Sequence, residues 1–133
     1  MRRHRPHWFD ELAALQLNGG RFRRARWNPG ARTLEVLARV EERDGWMELL
    51  LRYRNVERLE PALPALVAMI EDVSVELTGQ QLSAAAGCWQ HRLETRSAGT
   101  LQIRFGDLFL ARTPVAGPAD PLDAGPRFEV LSC

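Results

Sequence analysis

The sequence predicts a mainly β or α+β fold: a single antiparallel sheet or half-open barrel of about six to eight strands, with an N-terminal helix. Three observations lead there. Over Gly45–Glu60, apolar Met47, Leu49, Leu51 and Tyr53 alternate with Glu48, Arg52 and Arg54, the period of a strand with one buried face. Turn signals at Asn28-Pro29-Gly30, Asp44-Gly45 and Ser97-Ala98-Gly99 separate runs of the same period, so neighbouring runs read as hairpins and not as βαβ units. Ahead of them Trp8, Leu12 and Leu15 recur at helical spacing.

In chain order, a basic arm over residues 1–7 precedes a helix over about residues 8–17, with Asp10 and Glu11 in its first turn and Asn18-Gly19-Gly20 as its stop. Arg21–Trp27 then reads as the first strand of a hairpin whose second strand is Ala31–Val40. Its Arg side chains are expected on a solvated face opposite the glutamates of that second strand. Gly45–Glu60 continues the series, although Trp46 and Leu50 interrupt its polar face; as a helix it would spread Leu49, Leu50, Leu51 and Tyr53 round more than half of the cylinder. Asp44-Gly45 suits a type I′ turn, which demands positive φ.

Pro64–Met69 has the spacing of one or two helical turns. Asp72–Leu77 returns to strand alternation, and Thr78–Gly87, small and polar, reads as a loop. Trp89–Arg96, Leu101–Phe105 and Leu108–Arg112 form a last hairpin series, with Gly106-Asp107 as a turn or bulge. Pro and Gly then make 113–133 an extended tail, docked at 127–131. Residues 1–112 thus read as one globular domain.

At 133 residues the chain is long enough to bury roughly two thirds of its unfolded surface in one core. A formal net charge of +1 gives no general argument for nucleic acid or membrane. All 18 basic side chains are Arg, a bias that fits a GC-rich bacterial genome. No run approaches the ~20 apolar residues of a spanning helix, and Asp10 and Glu11 break any signal-peptide core, so a cytoplasmic protein is expected. Cys88 and Cys133 are too few for a disulfide framework and read as reduced thiols.

Charge is polarised along the chain. Residues 1–27 hold seven Arg against two acids, a formal excess of +5. Arg21, Arg23, Arg24 and Arg26 with Phe22 and Trp27 interleaved are the one feature pointing to nucleic acid, and hairpin pairing accounts for the same residues more simply. His4-x-x-His7 has a metal-pair spacing without a matching cluster to complete a site. Glu71, Asp72 and Glu76 form the only acidic knot. With His91 they are the candidate pocket of an enzyme or small-ligand protein, and a hydrogen-bonded core histidine is the competing reading of His91. Cys88 has nothing local to lower its pKa. There is no P-loop, no G-x-G-x-x-G after a strand and no paired C-x-x-C, and no cofactor, metal or catalytic set is nominated.

Trp27-Asn28-Pro29-Gly30-Ala31-Arg32-Thr33-Leu34, the run Leu49–Leu59, Ile70-Glu71-Asp72-Val73 and Leu101-Gln102-Ile103-Arg104-Phe105 together resemble a group of small uncharacterised bacterial proteins. There a "WDPxxRTL" hairpin precedes an "LxFxxVxxL" strand and a late "GxLxIxF" strand closes the sheet. The similarity covers about residues 21–112 and consists of core and turn positions, so it transfers no functional residue. Some members of such groups resemble immunity proteins of bacterial toxin systems, which implies a non-enzymatic protein-binding module that blocks a toxin. The expected partner is another protein, met by Trp8, Arg21, Arg23, Arg24, Arg26, Trp27 and Trp46, since Trp and Arg dominate interface hot spots.

Overall fold

The computed structural model describes residues 6–71, 75–118 and 128–131, except for the side chains of Ile70 and Glu71. A short helix α1 (His7–Ala13) is followed by strands β1 (Arg21–Asn28), β2 (Thr33–Glu42) and β3 (Gly45–Arg54). A 3₁₀ turn (Glu60–Ala62) leads into helix α2 (Leu63–Glu71), and β4 (Leu77–Ala85), β5 (Cys88–Thr95), β6 (Thr100–Phe105), β7 (Asp107–Val115) and β8 (Phe128–Val130) complete the order. The mainly β class with an N-terminal helix is what the chain adopts. Its strands divide between a five-stranded mixed sheet, β7-β3-β2-β1-β8, and a three-stranded antiparallel sheet, β4-β5-β6, which do not close into a barrel.

The sheets meet at two corners. At one, Arg21 bridges Glu76, the Leu77 amide donates to Gly20 O at 2.7 Å and the Phe22 amide to Val75 O at 3.0 Å. At the other, β6 runs into β7 through the single residue Gly106, whose amide donates to Arg54 O at 2.9 Å. A Cβ there would lie 3.1 Å from that of Asn55, so a small residue lets the strand bend from one sheet into the other. Gly106-Asp107, read as a turn or bulge, is this corner.

Between the sheets lies one apolar core. Leu34, Val36 and Ala38 of β2, Leu49, Leu51 and Tyr53 of β3, and Leu93, Leu101, Ile103 and Phe105 of the smaller sheet are all buried there. These are the alternate positions that the period-two pattern assigns to the inner face. Trp8 and Leu12 of α1 close the core from one side, Trp8 meeting Trp89 edge to face and Phe105 at a tilt, at ring-centroid distances of 5.6 and 5.4 Å.

Three local expectations need correction. Thr78–Gly87 is not a loop, because β4 spans most of it and pairs with β5 from Leu77↔Thr95 to Ala85↔Cys88. Its Gly, Gln, Ser and Ala carry little strand propensity, and the ladder to β5 overrides that. The β2–β3 turn is not type I′. Glu42 pairs with Gly45, Arg43 and Asp44 form the loop, and the positive φ (+120°) belongs to Gly45. Finally, α1 stops at Ala13, short of Leu17. The Gln80 side-chain amide donates to Leu12 O at 2.9 Å and Leu15 O at 3.1 Å, so these terminal carbonyls are satisfied without further helical turns.

Candidate functional site

Of the candidate pocket, His91 sits mid-strand on the inner face of β5 and is fully buried. Gln80 gives its NH₂ to the carbonyls of Leu12 and Leu15 at and just beyond the end of α1, so its Oε1 accepts from His91 Nε2–H at 2.6 Å, and His91 Nδ1 accepts from the Tyr53 hydroxyl at 2.7 Å. The imidazole is neutral, its tautomer fixed and both nitrogens engaged. Burial pushes its pKa down to about 3 and pushes that of Tyr53 up. This chain runs from the larger sheet through the core to the helix end. His91 is thus the hydrogen-bonded core histidine, not a general base facing a cavity.

Glu76 lies at the sheet corner with Arg96 Nε at 2.6 Å. Since His91 faces Leu82 in the β4–β5 register, the two are roughly 17 Å apart along the strands, and the structure does not bring them together. Asp72 and the Glu71 side chain fall outside the described residues, as do His4 of the histidine pair and Cys133. Among the described residues no group of three or more His, Cys, Asp or Glu could hold a metal ion, and no helix is long and apolar enough to cross a membrane. The Cys88 thiol is pushed up, first by burial and then by the Glu57 carboxylate, which keeps it from the thiolate form.

The expected partner surface separates into core and face. Trp8 is 1 % exposed and its indole N–H donates to Asp107 Oδ1 at 3.1 Å, so it is a core anchor and no contact residue. Trp27 packs on the core from the inner side of β1, opposite Leu34. In a straight strand, Arg21 and Arg23 would point one way and Arg24 and Arg26 the other. A β-bulge between Phe22 and Arg24 resolves this: Arg23 becomes the extra residue, 8 % exposed, while Arg21, Arg24 and Arg26 share the outward face. Only Arg26 faces a glutamate, Glu35; Arg24 faces Leu37 and Arg21 faces Arg39.

That outward face carries a depression. Arg24, Leu37, Leu50 and Ala111 make one cross-strand row and Arg26, Glu35, Arg52 and Phe109 the next, with Trp46 further along opposite Glu41 and Val115. A cavity of about 240 Å³ is lined by Arg24, Arg26, Glu35, Leu37 and Leu50. A second, of about 230 Å³, adjoins it through Arg26 and Glu35 and reaches Arg52, Thr33 and Leu131. Half-buried Leu37 and Leu50 form the floor. Arg52 is held by Glu35 Oε2 at 2.8 Å, with its guanidinium 5.2 Å from the centroid of the Phe109 ring, which is 43 % exposed.

Acids interleave with these cations. Glu129 lies 3.6 Å from Arg26, and Glu48 lies 3.5 Å from Arg39, whose guanidinium also donates to Gly117 O at 3.0 Å. Leu37, Phe109, Glu35 and Arg52 were not among the residues the sequence nominated. The available signal was Trp46 and Leu50, apolar residues on an otherwise polar strand face. Compared with family models, curated proteins and solved structures, the chain matches none of them.

Proposed function

We propose that the chain is a non-enzymatic protein-binding module and that it meets its partner with the outward face of the five-stranded sheet. One observation carries this reading: an apolar floor, Leu37 and Leu50, flanked by the exposed Arg52–Phe109 stack and rimmed by charges. That is the layout of an interface, with an apolar centre and a polar rim. The lining of the two cavities holds Arg24, Arg26 and Arg52 against Glu35, so a partner offering carboxylates beside an apolar side chain is complementary to it. Both cavities are open depressions on the sheet face and not enclosed cavities, which favours a surface contact over an enclosed ligand. The interleaved Glu35, Glu48 and Glu129 weigh against a phosphate backbone as the partner.

In its specific form the proposal is immunity-like: the partner is a toxin that the module blocks by covering it. The experiment is a pull-down from the native cell with the wild-type chain and with Leu50→Glu, which puts a carboxylate on the groove floor without entering the core. One stoichiometric partner captured by the wild type and lost with Leu50→Glu, at unchanged thermal stability, is the expected result. Equal capture by both chains, or no specific partner at all, overturns the assignment of this face.

A further inference from the structure

We infer that two copies of this chain associate through β4, edge to edge and antiparallel, joining their three-stranded sheets into one. The inference begins with the β4 ladder. The two-residue turn Ala86–Gly87 closes on the Ala85↔Cys88 pair, so Ala85, Ser83 and Gln81 direct their backbone groups to β5, and Ala84, Leu82 and Gln80 direct theirs away from it. The chain entering β1 occupies the far side of β4 only at its start, through Gly19 and Gly20 against Leu77, with Arg21 bridging Glu76 just before the strand. From Gln80 to Ala84 no backbone hydrogen bond from the described residues reaches those outward N–H and C=O groups.

Other edges among the described residues carry features that deter strand addition. β7 has Pro114, which lacks an N–H, as well as Arg112 and Asp107. β8 is three residues long and centred on Glu129. β6 gives Arg104 O to the Glu57 amide. Gln80–Ala85 has no charge, no proline and no bulge, and Gln81, Ser83 and Ala84 are exposed.

The absence of charge also favours this chain as its own partner. A two-fold pairing sets each residue against one from the same segment, so any charged residue near the axis would meet a like charge, and here there is none. With the axis at Leu82, that residue exchanges both hydrogen bonds with the partner's Leu82, and Gln80 exchanges its pair with the partner's Ala84. Gln81 and Ser83 then face their counterparts as close, non-hydrogen-bonded neighbours.

The test uses the full chain. Sedimentation equilibrium is expected to show the wild type as a dimer and Ala84→Pro, which copies the Pro114 feature onto this edge, with its dimer Kd raised about tenfold or more. In a background with Cys88 and Cys133 replaced by Ser, an oxidised mixture of Gln81→Cys chains with Ser83→Cys chains should yield a covalent heterodimer on a non-reducing gel. Gln81→Cys alone should not cross-link. A wild type that stays monomeric at high concentration overturns the inference, as does an unchanged Kd in Ala84→Pro. If Ala84→Pro misfolds, the cross-link decides, and its absence from the mixture overturns the register.

Discussion

Replacing His91 by Leu removes a ring wedged between two polar partners and leaves its neighbours chemically stranded. The side chain is fully buried, so no solvent takes the place of its nitrogens. The Tyr53 hydroxyl loses its acceptor, and Gln80 Oε1 loses its donor while the Gln80 amide stays tied to Leu12 O and Leu15 O. A buried polar group without a partner costs about 1–3 kcal/mol, and Leu is close to His in volume. Two stranded groups therefore cost about 3 kcal/mol, a fall in Tm of roughly 10 °C for a domain of this size. Tyr53→Phe alone strands only the Nδ1 lone pair and costs about 1 kcal/mol.

The informative variant is the double one. In a His91→Leu background the Tyr53 hydroxyl is a liability, so adding Tyr53→Phe restores about 1 kcal/mol and makes the double variant more stable than His91→Leu alone. Urea unfolding of all four chains at fixed pH gives these differences, with equal m-values as the check on two-state behaviour. If Tyr53→Phe costs the same in both backgrounds, the hydroxyl and the imidazole are energetically independent, and the buried chain described above does not act as a unit.

Acid should unfold the protein partly through this histidine. Its pKa is about 3 when folded and near 6.5 when unfolded, so the stability of the neutral form is fully present above about pH 6.5 and is lost as pH falls toward 3, by an amount on the order of 4 kcal/mol. Urea midpoints from pH 7 to pH 4 should fall for the wild type and much less for His91→Leu; parallel slopes would refute it. Gly20→Ala should cost about 2 kcal/mol or more, because the new methyl would sit 2.8 Å from Val40 Cγ1 and 2.9 Å from Leu17 O, both fixed by the sheet corner. Thermal denaturation measures it, and a shift of less than about 2 °C would show that the corner yields. Gln80→Ala should accelerate hydrogen exchange most in α1, since it releases the Leu12 and Leu15 carbonyls, and should also lower global stability by leaving the His91 Nε2–H without its acceptor; acceleration no greater in α1 than in β2 or β3 would contradict that.

What the sequence conveyed depended on how each segment obtains its structure. β2, β3, β5 and β6 bury alternate side chains on one face, and that periodicity is written in residue types; Leu34, Val36, Leu49, Leu51, Leu93, Leu101 and Ile103 could each be placed inside from alternation alone. β4 obtains its structure from β5, and a string of Gly, Gln, Ser and Ala carries no trace of a neighbour 11 residues away in His91 and Gln80 contact. The bulge at Arg23 has the same character, since it inverts the facing of every later residue of β1 and no residue type announces it.

The site was legible only in part. Trp and Arg composition pointed toward β1, yet Trp8 belongs to the core, while the groove floor comes from Leu37 and Leu50 on two other strands. A surface assembled across strands by register is not visible until the register is known.

The corner at Gly106 has a kinetic side. β6 and β7 are one stretch of chain serving both sheets, and β7 pairs with β3 across a wide gap in sequence, Trp46 with Val115 and Arg54 with Asp107. Closing that loop has to wait until most of the chain is available, which places this protein among slow, high-contact-order folders. It also means that neither sheet can open alone without pulling on the strand it shares, so the two layers should melt in a single transition.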